Sequence, residues 1–223
     1  MFRVICLLIG YTFGMIQTSY IVGKLSGIDI RDHGSKSAGF TNTNRVLGIK
    51  KGAIVFFADV FKAIAAYVVA TLIFINIDYS FARDVVPIPG GAFFAYDFVL
   101  PGLYAGIGAV FGHVFPFYLK FKGGKGVACA LGLIIMLDWR VMLISFVVGV
   151  IAVSITRFIS VASMSIMLTV PIALVVLYTG YGHVEVVALC VGLCALIWFL
   201  HRENIARLIN GNENKFSFKK KKV

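Results

Sequence analysis

The chain has 223 residues, a formal net charge of +11 and a hydrophobic share of 60%. Soluble globular domains average about 45–50% apolar residues even with glycine counted, so this composition excludes an ordinary soluble domain and indicates an integral membrane protein. In such a chain the positive charge reports first on membrane topology, and it does not indicate nucleic acid binding.

Seven apolar segments follow one another along the chain, and we predict one transmembrane helix from each. A helix needs roughly 17–25 residues to cross about 30 Å of hydrocarbon. The predicted segments are residues 2–23, 53–77, 98–119, 126–138, 140–157, 160–178 and 183–200. Because the fourth is short for a span, six helices is the main alternative. The predicted fold is an all-α integral membrane protein, with 1–211 a single polytopic membrane domain and 212–223 a basic cytoplasmic tail.

Lysine and arginine predict the orientation of these helices. Seven spans place 17 of the 21 basic residues on one side and three on the other, with Lys62 inside a helix. Basic residues concentrate in cytoplasmic loops. We therefore predict the N-terminus outside and the C-terminus in the cytoplasm. The terminal run of lysines, residues 219–222, suits anionic lipid head groups, although a solvated tail explains it equally well.

The first cytoplasmic loop, within residues 24–52, is dense in hydroxyls and amides. Ser35, Thr41 and Asn42 can bind a polar ligand, and Arg45 offers a planar fork for two phosphate oxygens. The same residue types also form turns and helix caps without any ligand. Both interpretations remain open at this point.

The second loop, Lys122-Gly123-Gly124-Lys125-Gly126, has the composition of an anion cradle. Glycines let the backbone approach an anion and direct N–H groups toward it, while lysine adds a point charge. A plain cytoplasmic turn is the alternative. The stretch lacks the spacing and final hydroxyl of a nucleotide P-loop, so ATP binding is unsupported. His113 precedes the loop inside the membrane, where a packed, hydrogen-bonded histidine is favoured over a catalyst.

The third polar cluster begins at His201, where the last predicted helix reaches the cytoplasm. A continuing helix would place His201 and Asn204 on one face, and Glu203 and Arg207, four residues apart, could pair. Anchoring at the interface is the alternative to ligand binding.

Two further sets of side chains within the apolar segments have structural explanations. Asp59 and Lys62 lie within the second predicted helix, where we expect them to neutralise each other, with Lys62 snorkelling, in preference to a substrate contact. The four cysteines lie in or beside apolar segments, and helix packing explains them better than a disulfide. No set of His, Cys, Asp and Glu has metal-ligand spacing in the sequence, so we predict no metal and no cofactor.

These three clusters resemble, in order and topology, the bacterial acyl-phosphate:glycerol-3-phosphate acyltransferases, the PlsY-type membrane enzymes. The likeness covers nearly the whole chain. Its most specific parts are the run from Lys122 to Ala128, preceded by Gly112, His113 and Pro116, and the run from His201 to Ile205 with Arg207 and Leu208. Asp59-Val60-Phe61-Lys62 also looks like the family's second-helix pattern.

The first loop departs from the family's pattern, which usually reads Gly-Ser-Gly-Asn-x-Gly-Ala-Thr-Asn and then Arg. Here Lys36 replaces a glycine, Ser37 an asparagine and Phe40 an alanine. A side chain at the glycine position can obstruct a left-handed backbone conformation or narrow the pocket. The substitutions leave open a catalytically weakened homologue that binds lipid phosphates.

The resemblance implies transfer of a fatty acyl group from acyl phosphate to the 1-hydroxyl of glycerol 3-phosphate, with lysophosphatidate and phosphate as products. It implies a multi-pass protein of the bacterial plasma (inner) membrane with its active site on the cytoplasmic face. Membrane lipids and the acyl-phosphate-producing enzyme are the expected partners. The expected catalytic residues are Ser35, Arg45, Lys125, His201 and Asn204. The expected substrate-binding residues are Gly34, Gly39, Thr41, Asn42, Lys122, Gly123, Gly124, Gly126 and Glu203.

A small organic-anion transporter is the alternative from another functional class, because broken helices and basic loops also build anion sites in transporters. Against it, the charged groups gather on one predicted face, and no inverted repeat is evident in the sequence. Uptake into sealed vesicles would indicate a transporter, whereas release of phosphate in detergent would indicate an acyltransferase.

Overall fold

The computed structural model describes residues 1–77, 85–87, 93–178 and 184–216. The lysine run 219–222 and most of the outward loop lie outside these residues. The α-helices are α1 (Phe2–Gly14), α2 (Thr18–Lys24), α3 (Phe40–Leu47), α4 (Ile49–Ile77), α5 (Tyr96–Val114), α6 (Val127–Leu137), α7 (Trp139–Thr156), α8 (Ile159–Leu177), α9 (Val184–Leu200) and α10 (Arg202–Ile209). Two strands, β1 (Val85–Pro87) and β2 (Phe93–Ala95), pair antiparallel between α4 and α5.

Every predicted apolar segment forms helix, but the segments differ in their capacity to span a membrane. Among the described residues five are long and apolar enough, namely Phe2–Lys24, Ile49–Phe74, Leu100–Leu119, Trp139–Thr156 and Ile159–Leu177, and a sixth follows if α9 and α10 count as one bent span. The fourth predicted span, α6, has 11 residues. At 1.5 Å per residue that is about 16 Å, short of about 30 Å of hydrocarbon.

The first and last spans are interrupted in ways that the apolar pattern did not indicate. The first span is broken between α1 and α2, where buried Gln17 donates to the carbonyl of His113 over 2.7 Å. The axes of α9 and α10 differ by 54°, with His201 at the bend. Both breaks turn polar residues toward the same end of the bundle.

The tightest packing in the fold is the crossing of α1 and α5. Gly10 and Gly14 of α1 lie directly against Ala105 and Ala109 of α5, and a Cβ at either glycine would overlap the facing carbonyl oxygen. Small residues allow this approach and let dispersion contacts form where lipid offers no hydrophobic drive for association. The crossing fixes α5, and hence the glycine-rich loop that follows it.

The remaining helices form a sheltered core and an apolar outer surface. Buried side chains of α4, α5, α6 and α9 form one cluster that includes Leu103, Leu133, Ile134 and Ile197. By contrast, α7 exposes large apolar side chains such as Leu143, Val147, Ile151 and Ile155. An apolar face of this size suits contact with lipid tails.

Direct contacts join the three polar clusters at one end of the bundle. Ala38 N–H donates to the Gly123 carbonyl over 3.4 Å, and Arg31 Nη1 donates to the Leu119 carbonyl over 3.3 Å. Lys125 donates to Asn204 of α10. Residues distant in the sequence thus surround one pocket.

Candidate functional site

A pocket of about 340 Å³ lies where the first loop, the start of α6 and α10 meet. Nine of the residues predicted for the site line this pocket, namely Ser35, Gly39, Thr41, Asn42, Arg45, Lys125, Gly126, His201 and Asn204. Its other wall is apolar and comes from α4, α6, α7 and α8, with Phe56, Leu131, Phe146, Val150, Val153 and Ile166. The pocket therefore joins a polar end to a hydrocarbon-like wall.

The first loop is shaped by the side chain of Asn42. Its Nδ2 donates to the carbonyls of Ile30 and His33, both at 3.0 Å, and its Oδ1 accepts from the Ser35 N–H at 2.8 Å. Gly34 has φ +61, and a Cβ there would overlap Asn42 Oδ1. Both residues thus build the turn that presents Ser35, and of the two it is Asn42 that lines the pocket.

Lys36, where the family pattern has glycine, adopts the left-handed conformation with φ +57. This backbone region costs a residue with a Cβ about 1–2 kcal/mol relative to glycine. The strain expected from the sequence is thus present at this position. The neighbouring substituted residues Ser37 and Phe40 line the pocket.

Two glycines of the second loop, Gly123 and Gly124, use their backbone N–H groups to bond to α5. Gly123 N–H donates to the Val114 carbonyl and Gly124 N–H to the His113 carbonyl, both at 3.1 Å. These two N–H groups therefore fasten the loop to the end of α5.

The backbone donors that do line the pocket lie one step further along the chain. Gly126 caps α6 with φ +80, and Val127 and Ala128 of its first turn line the cavity. The N–H groups of a first helical turn have no partner within the helix, and the helix dipole favours an anion beside them.

Two cations at the polar end lack a carboxylate partner. Within the described residues, Arg45 makes no ion pair, and the ammonium of Lys125 donates only to the Asn204 amide oxygen. Burial lowers the pKa of Arg45 below its usual range. Burial, together with the charge of Arg207, lowers the pKa of Lys125 to about 8, although Glu213 and Glu203 oppose this shift. Partly buried positive charge without a counter-ion is a site for an anion.

His201 occupies the bend between α9 and α10 and is 3% exposed. Its Nδ1 lies 2.8 Å from the Ile197 carbonyl, which can only accept, so Nδ1 carries the hydrogen. In the neutral ring Nε2 is then an acceptor. His201 and Asn204, predicted to share one face, both line the pocket.

Five predicted site residues do not line the pocket, namely Gly34, Lys122, Gly123, Gly124 and Glu203. Lys122 is exposed on the loop, and the Glu203 side chain is 72% exposed on the outer side of α10. The expected pair of Glu203 with Arg207 spans 4.0 Å, whereas Glu213 approaches Arg207 to 2.7 Å. Nothing in the spacing of the sequence indicated Glu213, because it follows α10 in an irregular segment.

A buried ionic cluster lies beneath the glycine-rich loop. Lys62 Nζ is 2.7 Å from Asp59 Oδ1 and 3.0 Å from His113 Nδ1, and it donates to the Ile16 carbonyl. The predicted neutral pair is confirmed, but Lys62 does not snorkel, since 5% of its side chain is exposed. The histidine is packed and hydrogen-bonded, as predicted.

The same cluster is the place where a metal ion could be considered. Potential ligand atoms of Asp59, His113 and Cys129 lie within 4.8 Å of one another. The Lys62 ammonium bonds to two of these groups and places a positive charge where a cation would sit. The donor set therefore fits an internal ammonium better than a metal ion.

Comparisons with known proteins agree with this arrangement. The family model for glycerol-3-phosphate acyltransferase matches residues 4–211. A glycerol-3-phosphate acyltransferase of Salinibacter ruber is 39% identical over 96% of this chain and 92% of its own length. Crystal structures of PlsY, an integral membrane glycerol 3-phosphate acyltransferase, match with 32% identity. The TM-score is 0.79 for the glycerol 3-phosphate form and 0.75 for the lysophosphatidic acid form, with 96–97% of this chain and 96% of theirs covered. A match of this extent, by family model, by sequence and by fold, means that the chain belongs to the glycerol-3-phosphate acyltransferase family.

Proposed function

We propose that the protein transfers a fatty acyl group from acyl phosphate to the 1-hydroxyl of glycerol 3-phosphate. The observation that carries this proposal is one pocket with Arg45 and Lys125, which form no ion pair within the described residues, at its polar end and an apolar wall beside them. One substrate is a small dianion, and the other combines a phosphate with a hydrocarbon chain. The cavity offers cations for the phosphate groups and an apolar wall for the hydrocarbon chain.

The comparisons support glycerol 3-phosphate as the acceptor and lysophosphatidate as the product. The related PlsY structures are described as a glycerol 3-phosphate form and a lysophosphatidic acid form. Acyl phosphate as the donor is an inference from the pocket: its phosphate is already a good leaving group. No nucleotide and no covalent enzyme intermediate is then required.

We assign the pocket residues to the two substrates. Ser35, Arg45, Lys125 and His201 bind the dianion of glycerol 3-phosphate, while Asn204 orients the Lys125 ammonium to which it is bonded. Thr41 and the first turn of α6 hold the phosphate of the donor. Gly34, Gly39, Gly123, Gly124 and Gly126 support these groups through the backbone, and Asn42 does so through its side-chain amide.

The reaction balances with the two substrates alone. The 1-hydroxyl oxygen attacks the acyl carbon, the bond from that carbon to the phosphate oxygen breaks, and a phosphate oxygen takes the hydroxyl proton. The products are lysophosphatidate and hydrogen phosphate. Holding both substrates in attack geometry can lower a barrier by about 7–11 kcal/mol, and fixed N–H and ammonium groups stabilise the developing charge.

The proposal also includes the topology. The chain crosses a bacterial inner membrane seven times, with its N-terminus outside and the pocket facing the cytoplasm. The starts of α1 and α9 lie together, since Arg3 and Glu185 form an ion pair of 2.8 Å. Parallel first and last spans support an odd number of crossings. Residues 1–211 are then one membrane domain, with a basic tail at 212–223 and access to an acyl-phosphate-producing enzyme from the cytoplasm.

The choice of donor tests the proposed function. Purified protein in detergent is supplied with radiolabelled glycerol 3-phosphate and palmitoyl phosphate, palmitoyl-CoA or palmitoyl-acyl carrier protein. Lysophosphatidate and phosphate should form in equal amounts with palmitoyl phosphate alone. Comparable rates with palmitoyl-CoA would refute the proposed donor.

A weakened homologue remains a second candidate because Lys36 holds a strained conformation beside the pocket. The triple reversion Lys36→Gly, Ser37→Asn and Phe40→Ala restores the family pattern of the loop. A large gain in kcat favours the weakened homologue, whereas an unchanged kcat favours a fully active enzyme.

A further inference from the structure

The segment after α10 folds back over the pocket. Gly211 turns the chain with φ +70, and Asn212 N–H donates to the Arg207 carbonyl over 2.8 Å. Residues 212–216, here called the strap, then run to the turn between α7 and α8, where Phe216 N–H donates to the Arg157 carbonyl over 2.7 Å. Four strap residues line the pocket, namely Glu213, Asn214, Lys215 and Phe216. The strap lies beyond the residues matched by the family model.

The carboxylate of Glu213 is the most constrained group of the strap. Its side chain is 6% exposed. Its Oε1 accepts from Asn204 Nδ2 at 2.8 Å and from Ser160 Oγ at 3.2 Å, and its Oε2 accepts from Arg207 Nε at 2.7 Å. These donors come from α8 and α10, so one carboxylate joins the strap to both helices.

This carboxylate determines how the amide of Asn204 is oriented. A carboxylate only accepts, so the NH₂ group of Asn204 must face Glu213. The amide oxygen then faces the other way and accepts from Lys125. If the amide turned over, its oxygen would face the Glu213 carboxylate and its NH₂ group would face the ammonium. The bond to Lys125 thus depends on Glu213.

We propose that Glu213 is a positioning residue of the acyl-transfer site: reaching in from the strap, its carboxylate orients the Asn204 amide toward Lys125 and holds Arg207 in place. This inference rests on the proposed function. Within the part of the chain that the structure describes, Glu213 forms its ion pair with Arg207 and not with Arg45 or Lys125, which leaves these two cations for the substrate dianion.

The electrostatics of the pocket agree with this role. Burial alone would raise the pKa of Glu213, but the donors Arg207, Asn204 and Ser160 lower it below its usual range, so the group is ionised at neutral pH. Its charge opposes the lowering of the Lys125 pKa. The charged or titratable groups that influence Lys125 are Arg45, His201, Glu203, Arg207 and Glu213.

The test compares full-length wild type with Glu213→Gln, and with Asp32→Asn as a matched control that removes an exposed carboxylate near the first loop. Glutamine keeps the shape but turns one acceptor into a donor, which then faces a donor of the protein. We expect kcat/KM for glycerol 3-phosphate to fall about 10- to 100-fold, the equivalent of one charge-assisted hydrogen bond. In Glu213→Gln the alkaline limb of the pH profile should move to lower pH. Asp32→Asn should leave both kcat/KM and the position of the limb unchanged.

The pH profile separates positioning from a merely structural role. A strap that only closed the pocket would lower activity in Glu213→Gln without moving the limb, and this result overturns the proposal. Unchanged activity in Glu213→Gln also overturns the proposal. A higher kcat/KM with a lower KM overturns it as well, because it would mean that the carboxylate occupies the place of the substrate phosphate. An inactive wild type would instead refute the proposed function.

A second variant keeps the proposal testable if Glu213→Gln does not fold. Glu213→Asp preserves the charge and withdraws the carboxylate by one methylene. It should lower kcat/KM while leaving the thermal unfolding midpoint and the pH of the limb close to wild type. Wild-type kcat/KM in Glu213→Asp would overturn the proposal.

Discussion

The Lys125 side chain connects the electrostatics of the pocket with its chemistry. Burial and the neighbouring Arg207 lower its pKa to about 8 from the usual value of 10.5. The ammonium form therefore dominates below about pH 8 and is lost above it. In the proposed function this charged form binds the dianion of glycerol 3-phosphate. We predict that kcat/KM for glycerol 3-phosphate declines as the pH rises through about 8.

The variant Lys125→Arg checks this assignment. A guanidinium stays charged to above about pH 12, so whatever activity the variant retains should lack the alkaline limb. The same limb in Lys125→Arg would show that another group titrates. Initial rates at low glycerol 3-phosphate from pH 6 to 10 provide the measurement.

The strain at Lys36 gives a second prediction at the scale of one residue. Because Lys36 has φ +57, Lys36→Gly should stabilise the folded protein by about 1 kcal/mol through relief of the left-handed conformation. A higher thermal unfolding midpoint in detergent would report this gain. Lys36→Ala is the matched control, because it removes the charge and keeps the Cβ. Equal midpoints for the two variants would contradict the prediction.

At the scale of elements, the glycine-rich loop depends on its packing against α5. A Cβ at Gly124 would overlap His113 Nε2 and lie 2.5 Å from the Ala38 carbonyl oxygen. We therefore predict that Gly124→Ala displaces the loop, lowers the unfolding midpoint and reduces kcat/KM. His113 is held by Asp59 and Lys62, so it has little freedom to retreat.

Gly192→Ala is the control for this substitution. A Cβ at Gly192 of α9 would meet nothing within 4 Å, so the variant should keep the wild-type midpoint and rate. Similar losses in both variants would show that the effect is not specific to the loop.

The apolar pattern located every helix that the described residues contain in the membrane part, because long apolar runs have few other structures available in a bilayer. It did not locate the break at Gln17 or the bend at His201, since both depend on tertiary partners. Nine of the predicted site residues line one pocket, whereas others such as Lys122 and Glu203 do not. The loop hydrogen bonds of Asn42 and Gly123 were not predicted, because hydrogen bonding within a loop cannot be deduced from residue type alone.

At the scale of the whole molecule, the seven-span topology depends on whether α6 crosses the bilayer with its short length. Seven spans place Trp139, which is 65% exposed, on the outer side, and Lys50 on the cytoplasmic side. We predict that an impermeant maleimide labels Trp139→Cys in intact cells and labels Lys50→Cys only after lysis. The four native cysteines are buried, which keeps the background low.

Labelling of Trp139→Cys only after lysis would contradict seven spans and place α6 as a re-entrant helix. The pocket itself would be unaffected, because its three clusters are joined by direct contacts on one end of the bundle. The labelling therefore tests the topology separately from the chemistry.

The proposed function depends on a dianion binding between Arg45 and Lys125, neither of which forms an ion pair within the described residues. The most direct test is kcat/KM for glycerol 3-phosphate in Arg45→Ala, with Arg202→Ala as the matched control, since Arg202 is exposed on α10 and does not line the pocket. Loss of a guanidinium that binds phosphate should cost about 100-fold or more in Arg45→Ala, while Arg202→Ala stays close to wild type. Wild-type kcat/KM in Arg45→Ala would contradict the claim.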